Sequence, residues 1–213
     1  MCARFTHCPR SSHKETVKHI CRYLQGVKGK GLTYQPNMNL QLDCYGDADS
    51  SGLCNYENDQ DPVCVKSRTG YLLTLGGCPI QWSSKLQSEI ALSTTGAKYI
   101  ALSQAIRKLI PLRRILFEIV EKMELKGPTS VILKPTVFEE NNGYIATSNA
   151  VNMTPRTKHI GLKYHFFKSH IGADKGILLE KIDTLLQKAD IFTKGIAPEK
   201  FSAMQNLMCG WQL

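Results

Sequence analysis

The chain has 213 residues, with 27 Lys and Arg against 18 Asp and Glu, a net charge of +9 and a hydrophobic content of 42%. That is enough for one large or two small packed cores, and no apolar run approaches the roughly 18 residues of a membrane span. The eight cysteines include no C-x-x-C pair, which argues against a zinc site and for reduced thiols in a cytosolic or nuclear setting.

The charge is uneven. Residues 1–36 carry seven Lys and Arg against one Glu, and residues 37–62 carry six acids and no base. Two basic regions flank a short acidic one, which suits a polyanion partner such as nucleic acid. The opening "MCARFTHCPRSSHKE" has no apolar stretch of signal-peptide type.

In chain order, "SSHKETVKHICRYLQG" predicts a helix capped by Ser12 with Glu15 three residues on; Val17, Ile20, Cys21 and Leu24 share one face. A basic "KGKG" turn and a linker-like stretch follow. "LQLDCYGDAD" alternates as a strand. "RTGYLLTLGG" and "CPIQWSSK" predict a hairpin turning at Gly76-Gly77, with Tyr71 and Trp82 in the core or on a sheet face. The acidic loop before it, with Glu57, Asp59 and Asp61, reads as a solubilising connection.

Next, "TTGAKYIALSQAIRKLIPLRRILFEIVEKM" predicts a long helix capped by Thr95 and kinked or split at Pro111. Its first turn holds Gly96 and Lys98, both unfavourable at a helix start. "TSVILKPTVFEENN" reads as a strand ending in acids, "GYIATSNA" as a short helix and "PRTKHIGLKYHFFKSHIGADKG" as a helix. "ILLEKID" reads as a strand, "LLQKADIFTKG" as a helix ending at Gly195 and "APEKFSAMQNLM" as a final amphipathic helix. The order implies a mixed α/β fold, a hairpin-built sheet with helices packed on it.

The acids Asp47 and Asp49, Glu139 and Glu140 stand at two strand ends, and Asp190 stands in a late helix. Carboxylates converging from separate elements hold hard cations such as magnesium. A pair of such ions can activate water and stabilise a leaving oxygen in phosphodiester cleavage. Exposed strand-end acids are also common without that role.

"YGDADSSG", "KSRTGYLLTLGGCPIQWSSKLQ", "IALSTTGAKYIALSQA", "VFEENN", "TPRTKHIGLKYHFF" and "LQKADIFTKG" occur in the order found in the ribonuclease H domain of copia-type retrotransposon polyproteins. The chain resembles that family over nearly its whole length. "HKETVKHICRYLQGVKGKGL" resembles the segment connecting reverse transcriptase to it. The resemblance implies a ribonuclease H-like fold, a five-stranded mixed sheet flanked by helices. Residues 1–36 would be the connection remnant and residues 37–213 the ribonuclease H-like domain. It implies hydrolysis of RNA in RNA–DNA hybrids with Mg²⁺ or Mn²⁺, and the reverse transcriptase part of a polyprotein as a partner. A chain that starts inside such a polyprotein is expected to be a fragment.

Carried over by motif, Asp47 matches the first catalytic acid, although Gly46 replaces a serine before it, and Asp49 matches a less essential aspartate. Gly96 stands where the resemblance puts the second acid, in a threonine-glutamate-alanine-glutamate-tyrosine motif that here reads "TGAKY". Lys98 replaces the second glutamate of that motif, assigned to capping with Thr95, and adds a positive charge that disfavours a divalent ion. Glu140 keeps the third acid with one methylene added, and Asp190 keeps the fourth. Asp47, Glu140 and Asp190 are therefore the expected catalytic and metal-binding residues, and catalysis is expected to be impaired. Glu89 lies well before the helix and Glu139 is expected on the opposite side of its strand from Glu140, so neither is placed to substitute.

Ser93 and Thr94, at the helix start, are candidates for holding a substrate phosphate, with capping as the simpler role. Arg156, Lys158 and His159 read equally as substrate contacts and as a solvated basic face. Arg107, Lys108, Arg113 and Arg114 are candidates for extending the hybrid-binding surface, or are solvated helix charges. The alternative to an enzyme is a non-catalytic nucleic-acid-binding module or an unselected remnant.

Overall fold

The structure is a computed structural model; it describes residues 5–34, 40–49, 62–124, 134–141, 145, 166, 168–172 and 175–211. The predicted helices over 143–150 and 155–176 fall mostly outside these, as does the acidic loop. The chain divides into two compact units, residues 1–33 and 34–213.

The first unit is built on helix α1, Ser11–Gly26. It starts one residue before the expected cap at Ser12, because Arg10 takes the cap position and its N–H donates to His13 Nδ1 at 3.0 Å. Glu15 instead pairs with Lys18 at 2.8 Å. The predicted apolar stripe is present, yet no residue of α1 is buried and Val17, Ile20 and Leu24 are exposed.

The second unit is a five-stranded mixed sheet with helices on its faces, as the resemblance implies. Its strands are β1 (Leu42–Ala48), β2 (Arg68–Leu75), β3 (Cys78–Leu86), β4 (Thr136–Glu139) and β5 (Leu178–Lys181), in the order β3-β2-β1-β4-β5. A one-turn helix α2, Pro62–Val65, precedes β2. β1, β2 and β3 are antiparallel neighbours, whereas β1–β4 and β4–β5 are parallel. The β2–β3 turn falls where predicted: Gly76 and Gly77 have φ of 56° and 81°, the left-handed pair a two-residue hairpin requires. Trp82 is 52% exposed on edge strand β3, so it is not a core residue, whereas Tyr71 is buried.

Helix α3, Thr94–Lys122, covers one sheet face. Leu102, Ala105, Ile106 and Leu109 pack on Leu42, Cys44, Tyr71, Leu73 and Val137. Pro111 does not split it, contrary to expectation: the helix assignment runs through the proline without a break. Pro111 and Arg107, whose carbonyl loses its helical donor, are both exposed, so water can satisfy that group. The cap is Ser93 rather than Thr95; its Oγ accepts from the N–H of Gly96 at 3.0 Å.

On the opposite face Tyr45, Leu72 and Ala189 cluster with Phe138, Phe192 and Met208. The expected helix around Asp190 is only a 3₁₀ turn, Lys188–Phe192, and α4, Pro198–Cys209, closes the domain. This turn sits directly on β2. A Cβ at Gly70 would lie 2.6 Å from Thr193 Cγ2, 2.8 Å from Phe192 Cβ and 3.0 Å from the Ala189 carbonyl oxygen. Gly70 pairs with Asp47 across the sheet, so this close approach brings Asp190 beside Asp47. A Gly70→Ala variant is expected to lose about 1–3 kcal/mol by overpacking, read as a lower urea midpoint with an unchanged m-value.

Candidate active site

Three chain segments bring the acids together. Asp47 lies near the end of β1, Glu139 ends β4 with Glu140 just beyond it, and Asp190 lies in the 3₁₀ turn. β1 and β4 are parallel neighbours, so their carboxyl ends open on the same side, where ligands bind in open α/β sheets. One oxygen each from Asp47, Glu140 and Asp190 lies within 4.8 Å of the others. Asp47 and Asp190 are buried and Glu140 is partly so.

The start of α3 adds a cation. Lys98, 7% exposed, turns its ammonium into the acids. Its Nζ lies 3.1 Å from Asp47 Oδ1, 2.9 Å from Glu139 Oε1 and 3.3 Å from Glu140 Oε1. Two further lysines complete the site. Lys194 Nζ is 2.8 Å from Asp190 Oδ1 and 3.7 Å from Asp47 Oδ2, and Lys200 Nζ is 2.8 Å from Asp190 Oδ2. The Thr193 hydroxyl donates to Asp47 Oδ2 at 2.5 Å.

These contacts set the ionisation. Burial would raise the Asp47 pKa, but the Lys98 charge, the Thr193 hydrogen bond and the Lys194 charge outweigh it and hold the carboxyl below its ordinary range. Burial would lower Lys98, but Glu139 and Asp47 outweigh it and drive the ammonium pKa well up. For Glu139 burial wins against Lys98, and its pKa is raised. Glu139 Oε1 also accepts the N–H of Asn141 at 2.9 Å. Among the described residues, Glu139 Oε2 and Glu140 Oε2 are buried without a hydrogen-bond partner.

The geometry revises the reading of "TGAKY". Residues 96 and 98 are about 200° apart around a helix, so they cannot both face the acids. Position 98 faces them, and Gly96 does not. Gly96 is instead the third residue after the Ser93 cap, where a glutamate would complete a capping box. Of the two motif positions, it is Lys98 that stands among the acids, and Gly96 that stands at the capping position.

Glu139 is a second revision. It shares the Lys98 ammonium with Glu140 rather than pointing away from it, because β4 ends at Glu139 and strand alternation stops there. Glu89 is exposed. Asp49 accepts the backbone N–H of Arg68. Ser93 is engaged in the helix cap and Thr94 is exposed beside it. Arg156, Lys158 and His159 lie outside the described residues.

Sequence patterning does not single out Thr193, Lys194, Lys200 or the buried role of Lys98. Thr193 and Lys194 fall three and four residues after Asp190, the spacing of neighbours on a helical face. Lys200, ten residues on, carries no such signal.

The site does not fit a divalent ion with Lys98 in place. The ammonium engages one oxygen of both Asp47 and Glu140, while Lys194 and Lys200 engage Asp190. A divalent ion would have to displace these ammonium groups from the carboxylate oxygens it would take. What the arrangement does hold is a buried, nearly neutralised ion network.

Removing its central cation leaves buried carboxylates facing one another. Lys98→Met is expected to destabilise the fold by about 3–5 kcal/mol at pH 7, measured by urea unfolding. In the native protein, the raised Lys98 pKa contributes stability that is full below the unfolded value of about 10.4 and is lost as pH climbs through the folded value. The depressed Asp47 pKa contributes stability present above its unfolded value and lost as pH falls through the folded one. The alkaline loss is expected to be absent from Lys98→Met.

No family model matches the chain. It is 34% identical over 207 residues to the retrovirus-related Pol polyprotein from transposon TNT 1-94 of Nicotiana tabacum, covering 97% of this chain and 14% of that protein. It is 29% identical over 201 residues to the Pol polyprotein from transposon RE1 of Arabidopsis thaliana, covering 93% of this chain and 12% of that protein. Among solved structures it is similar to LC11-RNase H1, isolated from compost, at 17% identity and a TM-score of 0.48, covering 72% of this chain and 93% of that one. The chain thus spans a small part of the polyproteins it matches, and over nearly all of its own length it is homologous to one segment of the retrovirus-related Pol polyproteins of transposons.

Proposed function

We propose that residues 37–213 are the ribonuclease H-like domain of a copia-type Pol polyprotein, preceded by a reverse transcriptase connection segment over residues 1–36. The domain keeps affinity for nucleic acid, RNA–DNA hybrids in particular, and has lost most hybrid hydrolysis. In the ancestral reaction Mg²⁺ or Mn²⁺ would activate water and stabilise the leaving oxygen.

One observation carries the loss of activity: the Lys98 ammonium lies 3.1 Å from Asp47 and 3.3 Å from Glu140, two of the three carboxylates that would bind metal. The net charge of +9 and the match to Pol polyproteins support nucleic acid as the partner. Asp47, Glu140 and Asp190 are the inherited acids; Lys98 holds the first two, and Lys194 and Lys200 hold the third.

The test is cleavage of a labelled RNA–DNA hybrid with Mg²⁺ or Mn²⁺. The unmodified chain is expected to stay at the no-protein background. Lys98→Glu, which replaces the ammonium by a carboxylate, is expected to raise metal-dependent cleavage above it. Adding Glu140→Asp is expected to raise it further by shortening the third acid's arm. Brisk cleavage by the unmodified chain, abolished by Asp47→Asn, would overturn the reading. A silent Lys98→Glu variant would overturn Lys98 as the blocking residue.

A further inference from the structure

The positive charge beside the acids is already engaged. Lys98, Lys194 and Lys200 are paired with Asp47, Glu139, Glu140 and Asp190. A phosphate backbone therefore gains little there and must find its cations elsewhere. Of the four basic residues in the middle of α3, Arg107, Lys108, Arg113 and Arg114, Arg114 faces Glu118 at 3.5 Å, and the Arg113 guanidinium lies against the backbone of Gly176. Arg107 and Lys108 remain.

These two line a cleft of about 280 Å³ between α3 and edge strand β3, completed by Tyr71, Ser83, Lys85 and Gln104. The lining contains three cations, two hydroxyls and an amide, and no acid. Among the described residues, none of the three cations has an acidic partner, and all three are exposed. The cleft is smaller and more polar than a site for a drug-sized apolar ligand. Its donors match a phosphodiester group, which offers only acceptor oxygens and negative charge.

We propose that this cleft is a binding site for the sugar–phosphate backbone of a nucleic acid, separate from the acid cluster. The proposal rests on the nucleic-acid reading of the domain. Arg107 lies nine residues beyond Lys98, a rise of about 13.5 Å and half a turn around the helix. With the helix diameter of about 11 Å added across that half turn, the two side chains stand about 17 Å apart, roughly five steps of one strand in a duplex. A polymer held in the cleft thus stays within reach of the acids without sharing their ligands.

The experiment measures binding of the full chain to a short labelled RNA–DNA hybrid across a salt series, with Lys85→Gln/Arg107→Gln/Lys108→Gln as the variant. A charge-matched control, Lys122→Gln/Lys134→Gln/Lys181→Gln, removes three exposed cations outside the cleft. Each phosphate contact contributes about 0.9 to the slope of log affinity against log salt. The cleft variant is expected to lose about 2–3 from that slope and at least about tenfold in affinity at low salt, and the control much less. If the unmodified chain binds and the two variants weaken equally, the cleft proposal is overturned and the nucleic-acid reading stands. If the unmodified chain binds no hybrid, both fall. The substituted residues are exposed, and circular dichroism confirms that each variant is folded.

Discussion

The lysine ammonium held among carboxylates at the open end of the sheet is the interaction on which the site depends. Asp47, Glu139 and Asp190 are almost wholly buried, and buried charges persist only when paired. Asp47 and both glutamates share Lys98, while Asp190 is held by Lys194 and Lys200. The cation comes from the chain itself, so the acids need no ion from solution to remain together.

The fold makes that pairing possible and resists others. Parallel pairing of β1 with β4 sets Asp47 and the Glu139–Glu140 pair side by side. The packing of α3 on Leu42, Cys44, Leu73 and Val137 fixes the helix so that position 98 looks into the gap. A lysine near a helix start opposes the helix dipole by up to about 1 kcal/mol when exposed. Three carboxylates within hydrogen-bonding reach outweigh that cost. The apparent misfit at the start of α3 is local, and the carboxylates across the gap resolve it.

Much of this was legible in the sequence. Strand alternation and the Gly76-Gly77 turn gave the hairpin, apolar spacing gave α3, and the ordered motifs gave the sheet and pointed to Asp47, Glu140 and Asp190, whose carboxylate oxygens lie within 4.8 Å of one another. What the sequence hid was rotational. Gly96 and Lys98 are two residues apart in a motif but about 200° apart on a helix, and the packing of α3 on the sheet sets which of them meets the acids. Glu139 and Glu140 reach the same ammonium because β4 ends at Glu139 and strand alternation does not extend to Glu140. Lys200 was invisible because its partner depends on where α4 docks. The α1 stripe shows the converse: its apolar periodicity is clear, and no burial accompanies it.

On the proposed reading, the Lys98 ammonium takes the place of a metal ion among Asp47, Glu140 and Asp190. A crystal soaked in Mn²⁺ and measured for anomalous scattering tests it most directly. No anomalous peak is expected among Asp47, Glu140 and Asp190, with Lys98 Nζ lying between the carboxylates. A strong peak bridging those three acids, with the Lys98 side chain swung away, would contradict it.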